Sequence, residues 1–297
     1  MTFYEIEFPL SDLDPDAVEE ALLEAGACSI TLVDRGDEPV LEPRPGEIRL
    51  WSDTLVRALF QDAAVGARAA LQSIEHLSAS LGNHVTETAR LRGVEDRDWE
   101  RVWLADWKSL RFGSRLWVCP TASDPPDDPN AVVVRLDPGL AFGTGTHPTT
   151  ALCLQLLESL PLTGRTVLDY GCGSGILGIA ALKMGAAHVV AVDLDPQALI
   201  ATRDNAQRNG VSSAITVKGV PAQLLRASCV VANILAGPLI ELAPTLTAAC
   251  ETGGDLLLSG LLKTQESAVK AAYTADFDML QVVGRDDWCC IHARRAA

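Results

Sequence analysis

The chain has 297 residues, is 48% hydrophobic and 21% charged, and carries 24 Lys+Arg against 39 Asp+Glu for a net charge of −15. That length allows two separate cores and that composition reads as an ordinary globular protein. The acid excess argues against direct nucleic-acid binding, and the absence of a basic leader or of an apolar run of about 20 residues argues against a signal peptide or membrane span.

In chain order, "FYEIEF" (3–8) predicts a half-buried strand with Tyr4, Ile6 and Phe8 on one face. "DPDAVEEALLEAGA" predicts a helix capped by Asp14, entered at Pro15, striped by Val18, Ala21, Leu22 and Ala25, and stopped at Gly26. "CSITLV" predicts a second strand, and residues 35–47, rich in Pro, Gly and charge, a loop. "EIRLW" and "TLVRALF" read as strands, 63–81 as a helix with Ala70, Ile74, Leu77 and Leu81 in phase, and "VTETARLR" as a further strand. The order approaches β-α-β-β-α-β, a small ferredoxin-like α+β domain over residues 1–95.

In residues 96–110, Trp99, Trp103 and Trp107 recur every four positions and share one face of a predicted linker helix. Residues 111–297 are expected to form the second domain. From about Leu162, strands "TVLDY", "HVVAVDL", "AITVK", "CVVAN" and "DLLLSG" alternate with helices over 175–184, 196–209, 236–250 and 263–275. This pattern predicts a doubly wound parallel sheet covered on both faces. "DMLQVVG" and "DWCCIHAR" then form an antiparallel hairpin with no helix between them.

Eight scattered cysteines without a C-x-x-C pair are expected to be buried reduced thiols, and five histidines without ligand spacing predict no metal site. The charge is uneven. Residues 1–95 hold seven Arg, no Lys and eighteen acids (7 − 18 = −11), and residues 96–297 hold seventeen bases and twenty-one acids (−4). A basic protein partner is compatible with the first domain.

The chemistry centres on "LDYGCGSGILGIA" (168–180), the glycine loop after "TVLDY". Read from Gly173 it is a dinucleotide-type G-x-G-x-x-G, weak evidence alone. Asp193, at the end of the next strand, suits any ribose diol and does not decide the cofactor. Asp169 does discriminate. A carboxylate beside the loop would repel a pyrophosphate and suit a ligand with an ammonium and a sulfonium, which describes S-adenosylmethionine. Asp169 capping the loop's own amides is compatible with that role. Asn233, ending "SCVVAN", is placed to accept a hydrogen bond from a neutral amine and aim its lone pair at a methyl carbon. "LDPGLAFGTGTHPTT" (136–150) supplies threonines that can close over the cofactor. His147 in that segment is expected to be structural.

"LDPGLAFGTGTHPTT", "GCGSGILGIAALKMGA", "VDLDPQA", "DNAQRNGV" and "VVANILAGPLIELAP", with "GEIRLW", "DRDWERVW" and "LRFGSRLWVCP", together resemble the bacterial methyltransferases of large-subunit ribosomal protein L-eleven, over nearly the whole chain. The resemblance implies a ferredoxin-like substrate-recognition domain, a linker helix and a class I S-adenosylmethionine-dependent methyltransferase domain. It implies transfer to the N-terminal α-amine and lysine ε-amines of that ribosomal protein, in the cytoplasm, and a monomer is expected. It places cofactor-binding roles on Thr150, Gly171, Asp193 and Asn233, with Asn233 also catalytic. Loop geometry adds Gly173 and Thr146. "NILA" is similar to the N-P-P-Y motif of other amine methyltransferases without its aromatic. The alternatives are a class I methyltransferase with a different protein or small-molecule amine, and an NAD-dependent oxidoreductase.

Overall fold

The computed structural model describes residues 2–36, 50–61, 72, 75, 89–95, 108–137, 143, 145–220 and 225–297. The chain divides into two compact units, Met1–Trp99 and Glu100–Ala297.

In the first unit, β1 (Thr2–Pro9), α1 (Pro15–Glu24), β2 (Ser29–Asp34), β3 (Thr54–Gln61) and β4 (Arg90–Glu95) follow one another. The strands form an antiparallel sheet in the order β2-β3-β1-β4, the arrangement expected of a ferredoxin-like domain. Alternation along β1 and β3 sends Ile6, Phe8, Val56, Ala58 and Phe60 to one side, where they pack with Val18 and Leu22 of α1. The Asp14 side chain accepts from the Asp16 amide, and Pro15 enters the first turn, as those residue types favour. Three expectations shift. Leu50 and Trp51, the described end of "EIRLW", are not in a strand. The last strand lies at Arg90–Glu95, later than "VTETARLR" suggested. Of the predicted 63–81 helix, Gln72 and Glu75 are helical and the rest lies outside the described residues.

The second unit opens with a small sheet of β5 (Leu110–Phe112), β6 (Leu116–Cys119) and β7 (Val132–Arg135). Leu110, read as the end of the linker helix, is therefore strand, and the three linker tryptophans Trp99, Trp103 and Trp107 lie outside the described residues. The chain continues through α2 (Pro148–Ser159), β8 (Thr166–Tyr170), α3 (Ile176–Lys183), β9 (His188–Asp193), α4 (Pro196–Arg208), β10 (Ile215–Gly219), β11 (Ala227–Asn233), α5 (Ala236–Glu241), α6 (Ala243–Ala249), β12 (Cys250–Leu262), α7 (Glu266–Tyr273), β13 (Phe277–Arg285) and β14 (Trp288–Arg295). The predicted 236–250 helix is two helices because Pro244 enters the first turn of α6 and cannot donate to the preceding turn. The predicted 263–275 helix begins with a 3-10 turn over Lys263–Gln265.

The large sheet has the order β10-β9-β8-β11-β12-β14-β13. β8 to β12 run parallel, and β14 is antiparallel to both of its neighbours. One buried cluster packs α2 and α3 on one face and the other packs α5, α6 and α7 on the opposite face. This is the doubly wound sheet with an antiparallel C-terminal hairpin that the sequence predicts. The chain runs outward from β8 to β10, then crosses to β11 on the other side of β8. The carboxyl ends of β8 and β11 therefore flank the crevice where strand order reverses, the place where such sheets bind ligands. No helix among the described residues is long and apolar enough to cross a membrane.

Candidate active site

The glycine loop leaves β8 at Tyr170 and is held by main chain. Gly171 and Cys172 donate to the Val192 carbonyl at 2.7 and 3.1 Å. Gly171 has φ 74°, a left-handed conformation that disfavours side chains, and a Cβ there would run into Ile234 Cγ2. The two sides of the crevice thus meet at Gly171. Gly173 donates its amide to Asp193 Oδ2 at 2.9 Å, while Asp193 Oδ1 accepts from the Asp195 amide at 3.0 Å. Each oxygen of Asp193 keeps a further lone pair, so the carboxylate at the end of β9 secures the loop and can still accept from a diol.

Asp169 is 1% exposed. Its Oδ2 accepts from the Gly178 amide at 2.9 Å, and its Oδ1 is buried with no hydrogen-bond partner. Burial, reinforced by the nearby Asp193 charge and opposed by the Gly178 amide, pushes its pKa up to about 7. A Cβ on Gly178 would strike Val189 Cγ1. Gly178, the last glycine of the apparent dinucleotide fingerprint, is required for helix-to-strand packing and its amide is engaged with Asp169. Cys172, in the loop, is an inert thiol, raised to about 12 by burial and the Asp169 charge.

Across the crevice, Asn233 ends β11, and the next residue, Ile234, donates its amide to the Ser259 carbonyl at 3.1 Å. Asn233 Nδ2 donates to Thr150 Oγ1 at 3.3 Å, and its Oδ1 is buried without a partner. Thr150 is fully buried in the first turn of α2. Here the strand end and the threonine segment come together, and with Nδ2 turned to Thr150 the carboxamide oxygen is the end that remains free. A buried acceptor left unsatisfied costs about 1–3 kcal/mol, so a donor that reached Asn233 Oδ1 would recover that cost.

The 143–147 segment reaches the glycine loop through Ser174, whose Oγ donates to the Gly143 carbonyl at 2.5 Å. Thr146 is exposed in that segment. His147 caps α2, its Nδ1 accepting from the Thr149 amide at 3.3 Å, and its ring stands edge-on to Trp288 with centroids 4.9 Å apart. Burial lowers its pKa, in keeping with a structural cap. The Asn233–Thr150 pairing and the orphan oxygens of Asp169 and Asn233 are what sequence reasoning could not supply. Two carboxylates, a free carboxamide oxygen, threonine hydroxyls and a glycine turn make a donor-acceptor set suited to S-adenosylmethionine, whose ammonium and ribose hydroxyls are donors.

A family model described as Ribosomal protein L11 methyltransferase (PrmA) matches residues 2–296. Two curated relatives carrying the name Ribosomal protein L11 methyltransferase, from Escherichia fergusonii and Escherichia coli, are each 49% identical over 302 aligned residues, covering 99% of this chain and 100% of the relative. Among solved structures, a ribosomal protein L11 methylase from Lactobacillus delbrueckii subsp. bulgaricus is similar with 31% identity and a TM-score of 0.59, over 64% of this chain and 100% of that one.

Proposed function

The chain belongs to the ribosomal protein L11 methyltransferase family, and from that premise we propose that Asn233 is the group that presents the accepting amine. The protein is an S-adenosylmethionine-dependent protein methyltransferase, with a class I fold, that acts on ribosomal protein L11. The acceptors are N-terminal and lysine amines. The observation that carries the reading is the buried, unpartnered Asn233 Oδ1 at the crevice.

S-adenosylmethionine, when bound, supplies an electrophilic methyl group on a sulfonium. Asp193, at the end of β9, accepts from the ribose diol. Gly171 and Gly173 let the main chain approach the ligand without side-chain clash. Thr146 and Thr150 contribute hydroxyls from the segment that leads into α2. Asp169, behind the loop, has its pKa pushed up to about 7 in the ligand-free chain, and the positive charge of the ammonium would favour its ionised form and be offset by it. Asn233 Oδ1 accepts an N–H from the neutral amine and so directs the nitrogen lone pair along the line of displacement. The amine that Asn233 presents would take the methyl group from the donor, and the methylated amine would release one proton to solvent. Positioning supplies the acceleration, with no covalent bond to the protein.

The N-terminal unit is read as the substrate-recognition domain. On its sheet, Glu5 and Glu7 pair with Arg92 and Arg57. Around α1, Asp14, Asp16, Glu19, Glu20 and Glu24 are all exposed, and the sequence has no basic residue between positions 11 and 27. An acidic surface of this kind favours encounter with a basic protein. The reaction is placed in the cytoplasm because its acceptor is a ribosomal protein.

Labelled methyl donor, incubated with this chain and with L11 from cells lacking the enzyme, should leave label on L11 amines. Absence of label on both free L11 and ribosomal particles, with the donor shown to bind, would overturn the assignment.

A further inference from the structure

Helix α4 carries a buried polar stripe that none of the roles above uses. Thr202, Asn205 and Asn209 recur at spacings of three and four, so they share one face, and all three are buried. A face that served packing alone would be apolar. Each of these side chains instead reaches the main chain of a loop or of a strand's last residue. Thr202 Oγ1 donates to the Gly173 carbonyl at 3.0 Å. Asn205 Nδ2 donates to the Ser174 carbonyl at 2.9 Å, while its Oδ1 accepts from Arg208. Asn209 grips both main-chain groups of Arg135, its Oδ1 accepting from the amide at 2.7 Å and its Nδ2 donating to the carbonyl at 2.8 Å.

These targets belong to two segments. Gly173 and Ser174 are in the glycine loop. Arg135 is the last residue of β7, eight positions before Gly143. One helix face therefore fixes the glycine loop and the end of β7, and Ser174 ties that loop to Gly143.

We propose that Asn205 is a positioning residue for the methyl-donor site, holding the glycine loop at Ser174, and through the Ser174 hydroxyl Gly143, in the binding arrangement before the donor arrives. Such pre-organisation lowers the ordering cost of binding. The inference rests on the reading that the glycine loop and the threonine segment hold S-adenosylmethionine.

The test measures S-adenosylmethionine binding by calorimetry on the full chain, with Asn205→Asp, which keeps the side-chain volume but replaces the donor facing the Ser174 carbonyl with an acceptor. Kd for the methyl donor should rise about tenfold, the size expected when a buried carbonyl loses its partner. At saturating donor, kcat and the KM for L11 should stay near wild type. Amide exchange should quicken in 143–147 and 171–178 while the central strands stay protected. Ser174→Ala leaves α4 intact and should weaken donor binding about threefold, a typical net hydrogen-bond contribution, and it decides the matter if Asn205→Asp fails to fold. Unchanged Kd in the folded variants, with loss of thermal stability alone, would assign the stripe to packing and overturn the inference. A wild-type chain that does not bind the donor would overturn the underlying reading of the site, and the inference with it.

Discussion

Two buried carboxylates in the large sheet meet opposite fates. Asp255 of β12 lies in the row of Val167, towards the amino ends of the strands, and Asp169 lies two residues farther along β8, beside the glycine loop. Asp255 is surrounded by His292 at 2.9 Å, Arg165 at 2.7 Å and Arg294 at 3.0 Å. Burial works to raise its pKa, but those hydrogen bonds outweigh burial and hold it well below the usual carboxylate range. Among the described residues Asp169 has one backbone amide, no cation and an orphan oxygen, and its pKa rises to about 7. Where the sheet needs only cohesion, the buried charge is fully compensated. Beside the glycine loop compensation is left incomplete, as it is at Asn233, and under the proposed function the missing partners are those a ligand would bring.

The largest effect that could break this contrast is at Asp255. Asp255→Ala leaves Arg165 and His292 around a vanished charge and should destabilise the fold by about 3–5 kcal/mol, as breaking buried ion pairs does. Chemical denaturation would measure this, while methyl transfer per folded molecule should persist. A loss of transfer without a loss of stability would erase the distinction between the two carboxylates.

Next comes the crevice itself. Gly171→Val places a branched side chain at φ 74° against Ile234, and donor binding should weaken about a hundredfold or more, on the scale of a packing clash of about 3 kcal/mol. Calorimetry checks it, and near-normal binding would mean that the loop does not form the site.

The pH dependence should carry opposite signs for the two acids. Asp169 binds its proton more tightly folded than unfolded, so its contribution to stability is fully present below about pH 4 and is lost as pH rises towards about 7. Asp255, with a depressed pKa, contributes stability above about pH 4 that is lost as pH falls below that value. In the ligand-free chain, Asp169→Asn should flatten the decline between pH 4 and 7, a change on the order of 3–4 kcal/mol. An unchanged profile would mean that Asp169 is ionised and compensated after all. The smallest effect lies in the other unit. Asp14→Ala should cost about 1 kcal/mol through the lost α1 cap, read by thermal unfolding, with donor affinity untouched.

Much of this was legible in the sequence because it follows from period and punctuation. β8 falls on "TVLDY" and β9 within "HVVAVDL", since buried parallel strands are short apolar runs bounded by turn residues. Asp14 and Pro15 mark their helix start for local reasons. A single helix over 236–250 does not survive Pro244: the first of the two prolines in that stretch, Pro238, sits inside α5, but Pro244 falls in the first turn of a new helix after Leu242. In the site, Gly171, Asp193 and Asn233 lie at strand ends that the pattern locates. The pairing of Asn233 with Thr150 spans 83 positions, and the α4 ladder reaches Arg135 across 74. Such contacts are fixed by how helices settle on the sheet, which no local pattern encodes. Orphaned oxygens are likewise invisible until every neighbour is placed.

The most direct test is the rate of labelled-methyl transfer to L11 at saturating donor by Asn233→Ala beside the wild type. The wild type should label L11, and the variant should fold and lose about a hundredfold or more in kcat, the scale of removing one preorganised hydrogen bond at a reacting centre. A variant that labels L11 at the wild-type rate would contradict the role given to the free oxygen at the end of β11.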